Sequence, residues 1–232
     1  AVVVLSAFEQ ESIRFFYVDP GWIATLIQGA TSVGRLDDRD TVLDTLVRQY
    51  GPVPANRVIH ILRQVCESLE EAHVGGLVHR DIKPANILIA RDKHPKIADF
   101  GLARLEDSGL SMTATGTIVG TPSYMSPEQA RGDVRSVTAS VDIYALGGII
   151  YRCLTGRPPF NAPRRLEVIE QILRQEPIPL HQLNRDVEPD LEIICLRCLQ
   201  KDPTDRPMTA GFLAEELQRF LNNEPILMRP IS

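Results

Sequence analysis

Three features are missing from this 232-residue chain: a long apolar run, an excess of basic residues and a lysine near the amino terminus. No apolar stretch approaches the roughly 20 residues that a membrane-spanning helix requires. Residues 141–154 come nearest, but they include Asp142 and Arg152 and therefore predict a buried core helix. Residues 1–5 are too short for a secretion signal and lack its basic leader. The net charge of −5 gives no reason to expect nucleic acid or an anionic membrane as a partner.

Lysine is scarce, and none precedes position 83. The four lysines are Lys83, Lys93, Lys96 and Lys201. Glycine is also sparse in the first 50 residues, where it occupies positions 21, 29 and 34 and forms no G-x-G-x-x-G phosphate-binding loop. A nucleotide site built from such a loop and a lysine ahead of residue 83 is therefore excluded for this chain.

Three short segments concentrate residues with a common chemistry. Residues 79–88 (HRDIKPANIL) contain a carboxylate, an ammonium and an amide, residues 99–101 (DFG) add a second carboxylate, and residues 120–128 read GTPSYMSPE. Phosphoryl transfer needs metal ions on the phosphates and a carboxylate that orients the attacking hydroxyl, with little covalent chemistry from the protein. Together the three segments supply these parts in a fixed order.

The segments resemble the catalytic loop, the D-F-G element and the A-P-E element of bacterial eukaryotic-like Ser/Thr protein kinases, with wording similar to the planctomycete type. The resemblance implies transfer of the ATP γ-phosphoryl to a Ser or Thr hydroxyl of a protein substrate. It implies that Asp81 is the base that accepts the hydroxyl proton and that Lys83 steadies the γ-phosphate. Asn86 and Asp99 are then the ligands of Mg²⁺.

Further residues match structural positions of that family. The resemblance implies that Glu128 pairs with Arg206 inside the large lobe and that Asp142 holds the backbone of the catalytic loop. Ser126 stands where the family has alanine, a change between small residues that does little to weaken the resemblance.

The hydroxyl-rich segment after the D-F-G element is the expected regulatory loop. By resemblance, a phosphorylated residue of this loop pairs with Arg80 and orders the loop. Thr113 and Thr115, in the variable middle, are the candidates for phosphorylation. The resemblance implies that Thr121 instead bonds the catalytic residues and shapes the substrate site. An unmodified polar loop is the alternative, since Ser and Thr are common in turns.

The resemblance implies an α+β, protein-kinase-like fold with a mostly helical large lobe, a few short strands and an incomplete small β lobe, and the apolar periodicity places its elements. Thr41 is predicted to cap a helix that ends at Gly51, and Pro54 to start a five-turn helix that ends at Gly75. Further helices are predicted at 127–131, 139–154, 163–175, 189–200 and 209–221. Short strands are predicted at 1–5, 13–18, 77–78, 87–89 and 96–98, and residues 22–27 are either a strand or a short helix.

These patterns divide the chain into three parts. Residues 1–40 are a degenerate or residual small-lobe segment, residues 41–222 are the large lobe, and residues 223–232 are a tail. Because the chain begins with alanine and its first methionine is Met112, we expect a piece of a longer protein. That parent could carry a membrane anchor, whereas for this chain we expect a cytoplasmic location.

The cysteines and most histidines favour structural roles. Cys195 and Cys198 form a C-x-x-C pair, but a zinc or redox site needs a second pair or a different context. With Cys66 and Cys153 they are predicted to be buried thiols in a reducing cytoplasm. His79 is expected to pack beneath the catalytic loop. Surface or capping roles, rather than a metal site, are expected for His60, His73, His94 and His181.

Two functions of different class remain open. The first is an active kinase that uses ATP and Mg²⁺, with a protein substrate and, as a further option, a dimeric or trans-phosphorylating partner. The second is a catalytically silent fragment or pseudokinase that binds partners through its helical surface. The missing lysine and Gly-rich loop favour the second, and the intact acidic and amide groups favour a parent enzyme. A small-molecule phosphotransferase is disfavoured, because residues 120–128 resemble a platform for a protein substrate.

Overall fold

The computed structural model describes residues 2–9, 12–18, 41–90, 94–98, 122–133 and 137–230, the first two ranges by their backbone. The strands in these ranges are β1 (Val2–Glu9), β2 (Ser12–Val18), β3 (Thr41–Val42), β4 (Ile87–Ile89) and β5 (Pro95–Ile97). The helices are α1 (Leu43–Tyr50), α2 (Ala55–Val74), α3 (Pro127–Ala130), α4 (Ser140–Thr155), α5 (Arg165–Arg174), α6 (Pro189–Cys198) and α7 (Ala210–Leu221). Short 3₁₀ turns occur at Pro84–Asn86, Pro122–Tyr124, Leu180–Gln182 and Pro203–Asp205. The α+β architecture with a mostly helical body is as predicted.

One five-stranded sheet has the order β2-β1-β5-β4-β3. β1 and β2 pair as an antiparallel hairpin, and β1 also pairs in parallel with β5, with Val3 opposite Ile97. β4 pairs antiparallel with both β5 and β3. The amino-terminal hairpin therefore extends a sheet in which β4 directly follows residues 79–86.

The core is built around α4, which is buried along almost its whole length. α4 packs against α6, while α2 packs against α7 and α4. Gly147 permits the close approach of α4 and α6, because a Cβ at this position would lie 2.6 Å from the Cβ of Cys198. No helix in the described part of the chain is long and apolar enough to span a membrane.

Two local predictions are wrong. Thr41 does not cap α1: Thr41 and Val42 are extended and pair with β4, so the helix begins at Leu43 without a side-chain cap. Residues 77–78 do not form a strand, because the Leu77 N–H donates to the carbonyl of Ala72 at the end of α2. The backbone that follows donates to a side-chain carboxylate rather than to a neighbouring strand.

The prediction of four buried thiols is confirmed, since Cys66, Cys153, Cys195 and Cys198 are all buried and free. Burial raises the pKa of the Cys153 and Cys198 thiols to about 12. The thiols therefore stay protonated in the folded protein near neutral pH.

Residues 223–230 are packed against α7. The Glu216 carboxylate, buried on that helix, accepts hydrogen bonds from the N–H groups of Leu227 and Met228, at 2.8 and 2.7 Å. Ile226 and Met228 bury their side chains in the hydrophobic core. The described part of the predicted tail is thus continuous with the helical body.

Candidate active site

Three of the predicted site residues meet in the loop between α2 and β4. The Lys83 ammonium donates to Asp81 Oδ2 at 2.6 Å, and the Asn86 side-chain amide donates to the Asp81 carbonyl at 2.9 Å. The 3₁₀ turn Pro84–Asn86 makes this possible by bringing Asn86 back toward the start of the loop. The Asp81 side chain is 43% exposed, whereas Asn86 is buried. An accessible carboxylate is therefore paired with a cation, while an amide holds the backbone carbonyl of the same residue.

Asp142, near the start of α4, holds the backbone that leads into this loop. Its two carboxylate oxygens accept the N–H groups of His79 and Arg80, each at 2.8 Å. One of these oxygens also lies 2.8 Å from Nε2 of His73, on α2. Because Asp142 is fully buried, these contacts are shielded from solvent and bind α2, α4 and the loop to one another.

Arg80 has a left-handed backbone conformation, with φ of +69°. A residue with a Cβ adopts this conformation at a cost of the order of 1–3 kcal/mol, so surrounding contacts must impose it. They do so on both sides of the residue: the Arg80 N–H donates to Asp142, and the Arg80 carbonyl accepts the side-chain amide of Gln129 at 2.7 Å. The direction in which the chain enters Asp81 is therefore set by α3 and α4.

His79 fixes the other side of the loop. The Asp81 N–H donates to Nδ1 of the buried His79 ring at 3.3 Å, so Nδ1 carries no proton. Nε2 then carries the proton and donates to the Ala98 carbonyl at 3.0 Å. The Ala98 N–H in turn donates to the Asn86 carbonyl at 2.8 Å. Ala98, the residue before Asp99 in the chain, is thus bonded to both ends of the catalytic loop.

Glu128 and Arg206 form a buried ion pair below this loop. The two Arg206 Nη atoms donate to the two carboxylate oxygens of Glu128 at 2.7 and 2.8 Å, a bidentate geometry. The side chains are 0% and 3% exposed. The remaining Arg206 donors reach the carbonyls of Gln200, Ser140 and Lys201. The pair therefore joins α3 and the start of α4 to the loop between α6 and α7.

Ser126 does more than fill a small space. It is the N-cap of α3, where its hydroxyl accepts from the Gln129 N–H while the Gln129 side chain accepts from the Ser126 N–H. The sequence carries the signal for this capping box, Ser-x-x-Gln before a helix. The box orients Gln129, whose side-chain amide reaches Arg80.

His73 is a second residue that the sequence interpretation missed. A surface or capping role was expected, but its side chain is buried against Asp142. No local pattern indicates this contact, because its partner is 69 residues away along the chain. The predicted residues Asp99, Thr113, Thr115 and Thr121 lie outside the described residues.

Some of the described groups have the chemistry needed to bind a nucleotide with its Mg²⁺. The Asn86 side-chain nitrogen is used by the Asp81 carbonyl, which turns Oδ1 toward other partners, and no described residue donates to that oxygen. Amide and carboxylate oxygens are the hard ligands that Mg²⁺ prefers. Lys83 adds a cation beside the same loop for phosphate oxygens.

A buried carboxylate holds a loop that contains an accessible aspartate, a lysine and an amide, and this loop is accompanied by a buried Arg–Glu pair. This arrangement defines the large lobe of a protein kinase. The protein kinase domain family matches residues 34–218, and the chain belongs to this family.

Bacterial serine/threonine-protein kinases are among the relatives. The chain is 41% identical over 184 residues to the serine/threonine-protein kinase PknB of Mycobacterium tuberculosis, covering 79% of this chain and 29% of PknB. It is 38% identical over 194 residues to a probable serine/threonine-protein kinase of Corynebacterium efficiens, covering 82% and 29% of the two chains. A probable serine/threonine-protein kinase of Streptomyces coelicolor is 37% identical over 171 residues, with 73% and 25% covered. The chain therefore spans less than a third of the length of these relatives.

Proposed function

We propose that this chain is the large lobe of a Ser/Thr protein kinase, residues 41–222, and that it takes part in transfer of the ATP γ-phosphoryl to a Ser or Thr hydroxyl of a protein. The observation that carries the proposal is the arrangement of Asp81, Lys83 and Asn86 within hydrogen-bonding distance in one rigidly held loop. The kinase family and the Ser/Thr kinases among its relatives support the same reaction.

Asp81 orients and deprotonates the attacking hydroxyl. Lys83 occupies Oδ2 of its carboxylate, which leaves Oδ1 to accept the hydroxyl hydrogen of the substrate. A positioned general base contributes roughly 10²–10⁴-fold to a rate. The substrate oxygen would bond to the γ-phosphorus as the bond from that phosphorus to the β–γ bridging oxygen breaks and ADP leaves. The hydroxyl proton would pass to the Asp81 carboxylate, and Lys83 would offset negative charge on the transferred group.

Asn86 and Asp99 are proposed to hold Mg²⁺ on the phosphates. Bound ATP would supply the phosphoryl group that is transferred, and bound Mg²⁺ would supply the positive charge that neutralises the phosphates. The hydrogen bond from Asn86 Nδ2 to the Asp81 carbonyl supports this assignment, because it orients the amide oxygen away from the loop. The bonds of Ala98 to His79 and Asn86 anchor the chain one residue before Asp99.

The protein substrate is proposed to lie along residues 120–128, of which 122–128 are described, with Thr121 beside the catalytic loop. Thr113 and Thr115 are the proposed phosphorylation sites, and Arg80 is their proposed partner. In support, the Arg80 guanidinium forms no ion pair with a carboxylate of the described residues. The four buried free thiols suit a reducing compartment such as the cytoplasm.

A second function, a catalytically silent binding module, is favoured by one specific observation. No lysine precedes Lys83, and no G-x-G-x-x-G occurs in the chain's first 50 residues. Kinases use both features to hold the phosphates of ATP. A chain without them keeps a substrate platform but grips the nucleotide from one side only.

Phosphoryl transfer and nucleotide binding distinguish the two functions. Purified chain is incubated with labelled ATP, Mg²⁺ and a Ser/Thr acceptor protein, beside Asp81→Asn and the exposed control Asp186→Asn. Kinase function predicts transfer that falls roughly 10²-fold or more in Asp81→Asn and is unchanged in the control, with equal melting temperatures. Absence of transfer from the wild type, together with no stabilisation by Mg²⁺ and ATP, would refute the kinase and support the binding module.

A further inference from the structure

Lys201 joins two ends of a segment that lies outside the candidate active site. It occupies the loop between α6 and α7, and its ammonium donates to the Ile172 carbonyl, in α5, at 2.8 Å. The same ammonium lies over the ring of the buried Phe160, 4.2 Å from the ring centroid. Phe160 precedes α5, so one side chain holds the segment 160–172 at both ends.

The contact with Ile172 has a clear physical reason. The last four carbonyls of a helix lack helical partners, and the negative end of the helix dipole favours a cation there. The Ile172 carbonyl is one of these, since α5 ends at Arg174 and the Gln175 N–H donates to Gln171 instead. Lys201 therefore caps α5 from another part of the chain.

Lys201 is also connected by two routes to residues 122–130, which include the described part of the proposed substrate platform (residues 120–128). Its backbone carbonyl accepts Nη2 of Arg206 at 3.2 Å, and Arg206 pairs with Glu128 on α3. Its side chain holds α5, which packs against both α3 and the turn Pro122–Tyr124. The platform is thus contacted by Arg206 and by α5, the two groups that Lys201 holds.

The ammonium is kept in this place against an electrostatic cost. Burial lowers the pKa of Lys201 to about 8, with the nearby Arg206 acting in the same direction and Glu176 opposing it. An uncharged side chain would fill the same space without that cost. The contacts of the ammonium with the Ile172 carbonyl and the Phe160 ring offset that cost.

We propose that Lys201 is a positioning residue that fixes α5 beside the platform 120–128 and thereby sets the affinity for the protein substrate. The proposal rests on the proposed kinase function. Within the described ranges the Lys201 side chain contacts the Ile172 carbonyl and the Phe160 ring and not the loop 79–86, so it acts through α5 and through Phe160. The substrate it affects is the acceptor protein, and not ATP.

The test compares two variants. Lys201→Met keeps an unbranched side chain of similar length but removes the charge, and Lys201→Arg keeps a cation. Arg185→Met is the control, because Arg185 is an exposed cation. Amide hydrogen exchange is measured over residues 160–178 and 122–130. The KM values for ATP and for an acceptor such as myelin basic protein are measured in parallel.

We expect faster exchange in both regions for Lys201→Met, with restoration in Lys201→Arg and no change in the control. The acceptor KM should rise about tenfold, below the roughly 10²-fold that a 1 Å misplacement can cost, while kcat and the ATP KM stay constant. Equal hydrogen exchange in all variants would refute the proposal that Lys201 fixes α5. Faster exchange with an unchanged acceptor KM would show that Lys201 has a structural role only and would refute its effect on substrate affinity. A wild type without transfer would refute the proposed function and the substrate role with it, whereas the exchange data would still decide whether Lys201 holds α5.

Discussion

The buried Arg206–Glu128 pair gives a prediction in which a second mutation restores stability. Arg206→Met leaves the Glu128 carboxylate buried and unpaired, which costs about 3–5 kcal/mol. It also removes the donors to the carbonyls of Gln200, Ser140 and Lys201, at about 1 kcal/mol for each lost hydrogen bond. We therefore expect the free energy of unfolding to fall by roughly 6–8 kcal/mol.

Adding Glu128→Leu to Arg206→Met removes the unpaired charge and leaves only the three carbonyls without donors. The double variant should then lose about 3 kcal/mol relative to the wild type, and so be more stable than Arg206→Met alone. Glu128→Leu by itself leaves the guanidinium with its backbone acceptors and should cost about 3–5 kcal/mol.

The measurement is urea unfolding followed by circular dichroism for the wild type, the two single variants and the double variant. The exposed pair Arg219–Glu224, 3.7 Å apart, is the control cycle, for which we expect a coupling below about 1 kcal/mol. A double variant that is no more stable than Arg206→Met would show that the unpaired carboxylate is not the source of the loss. If Arg206→Met does not fold, the milder pair Arg206→Lys and Glu128→Gln replaces the single variants.

Two further predictions follow from the loop and the core. Arg80 has a positive φ, which glycine adopts without the cost that a Cβ adds. Arg80→Gly should therefore be about 1–2 kcal/mol more stable than Arg80→Ala, the reverse of the usual order. An equal or lower stability for the glycine variant would refute strain at this position. The thiols predict a loss of stability at alkaline pH: the folded state holds the protons of Cys153 and Cys198 to a pKa of about 12, whereas the unfolded thiols release theirs near pH 8.5–9. The folded state then binds more protons, so the free energy of unfolding falls above pH 9 by about 1.4 kcal/mol per pH unit for each such thiol. Cys153→Ala should flatten that slope by one proton, and an unchanged slope in urea unfolding between pH 9 and 11 would contradict the prediction.

The helices of the large lobe could be predicted because their signals are local. α7 begins and ends within a residue of its predicted range, since an apolar stripe follows Thr209, whose hydroxyl caps the helix by accepting from the Phe212 N–H. Thr41 misled for the opposite reason. A residue with a side-chain hydroxyl before an apolar stripe predicts an N-cap, but Thr41 and Val42 both pair with β4, so the N-cap position falls on Val42.

The site residues also fall into a set that local sequence predicts and a set that it does not. Asp81, Lys83 and Asn86 lie within six positions, so their spacing alone brings them together around one tight turn. The residues that hold this loop in place come from far along the chain. Asp142 and Gln129 reach it from 62 and 49 positions beyond Arg80, and such contacts depend on how helices pack rather than on any local pattern.

The supports of the catalytic loop explain why the two proposed functions are difficult to separate by sequence alone. The contacts described around Asp81 are made by His79, Lys83 and Asn86, and the loop backbone is held by Asp142 and Gln129. None of these supports involves a residue before position 41, where the lysine and Gly-rich loop are missing.

The loop that carries Asp81 is therefore held by residues that all follow position 41. A silent module and an active kinase would then present the same surface to a protein partner. Acceptor binding cannot distinguish them, and phosphoryl transfer with its dependence on Asp81 can.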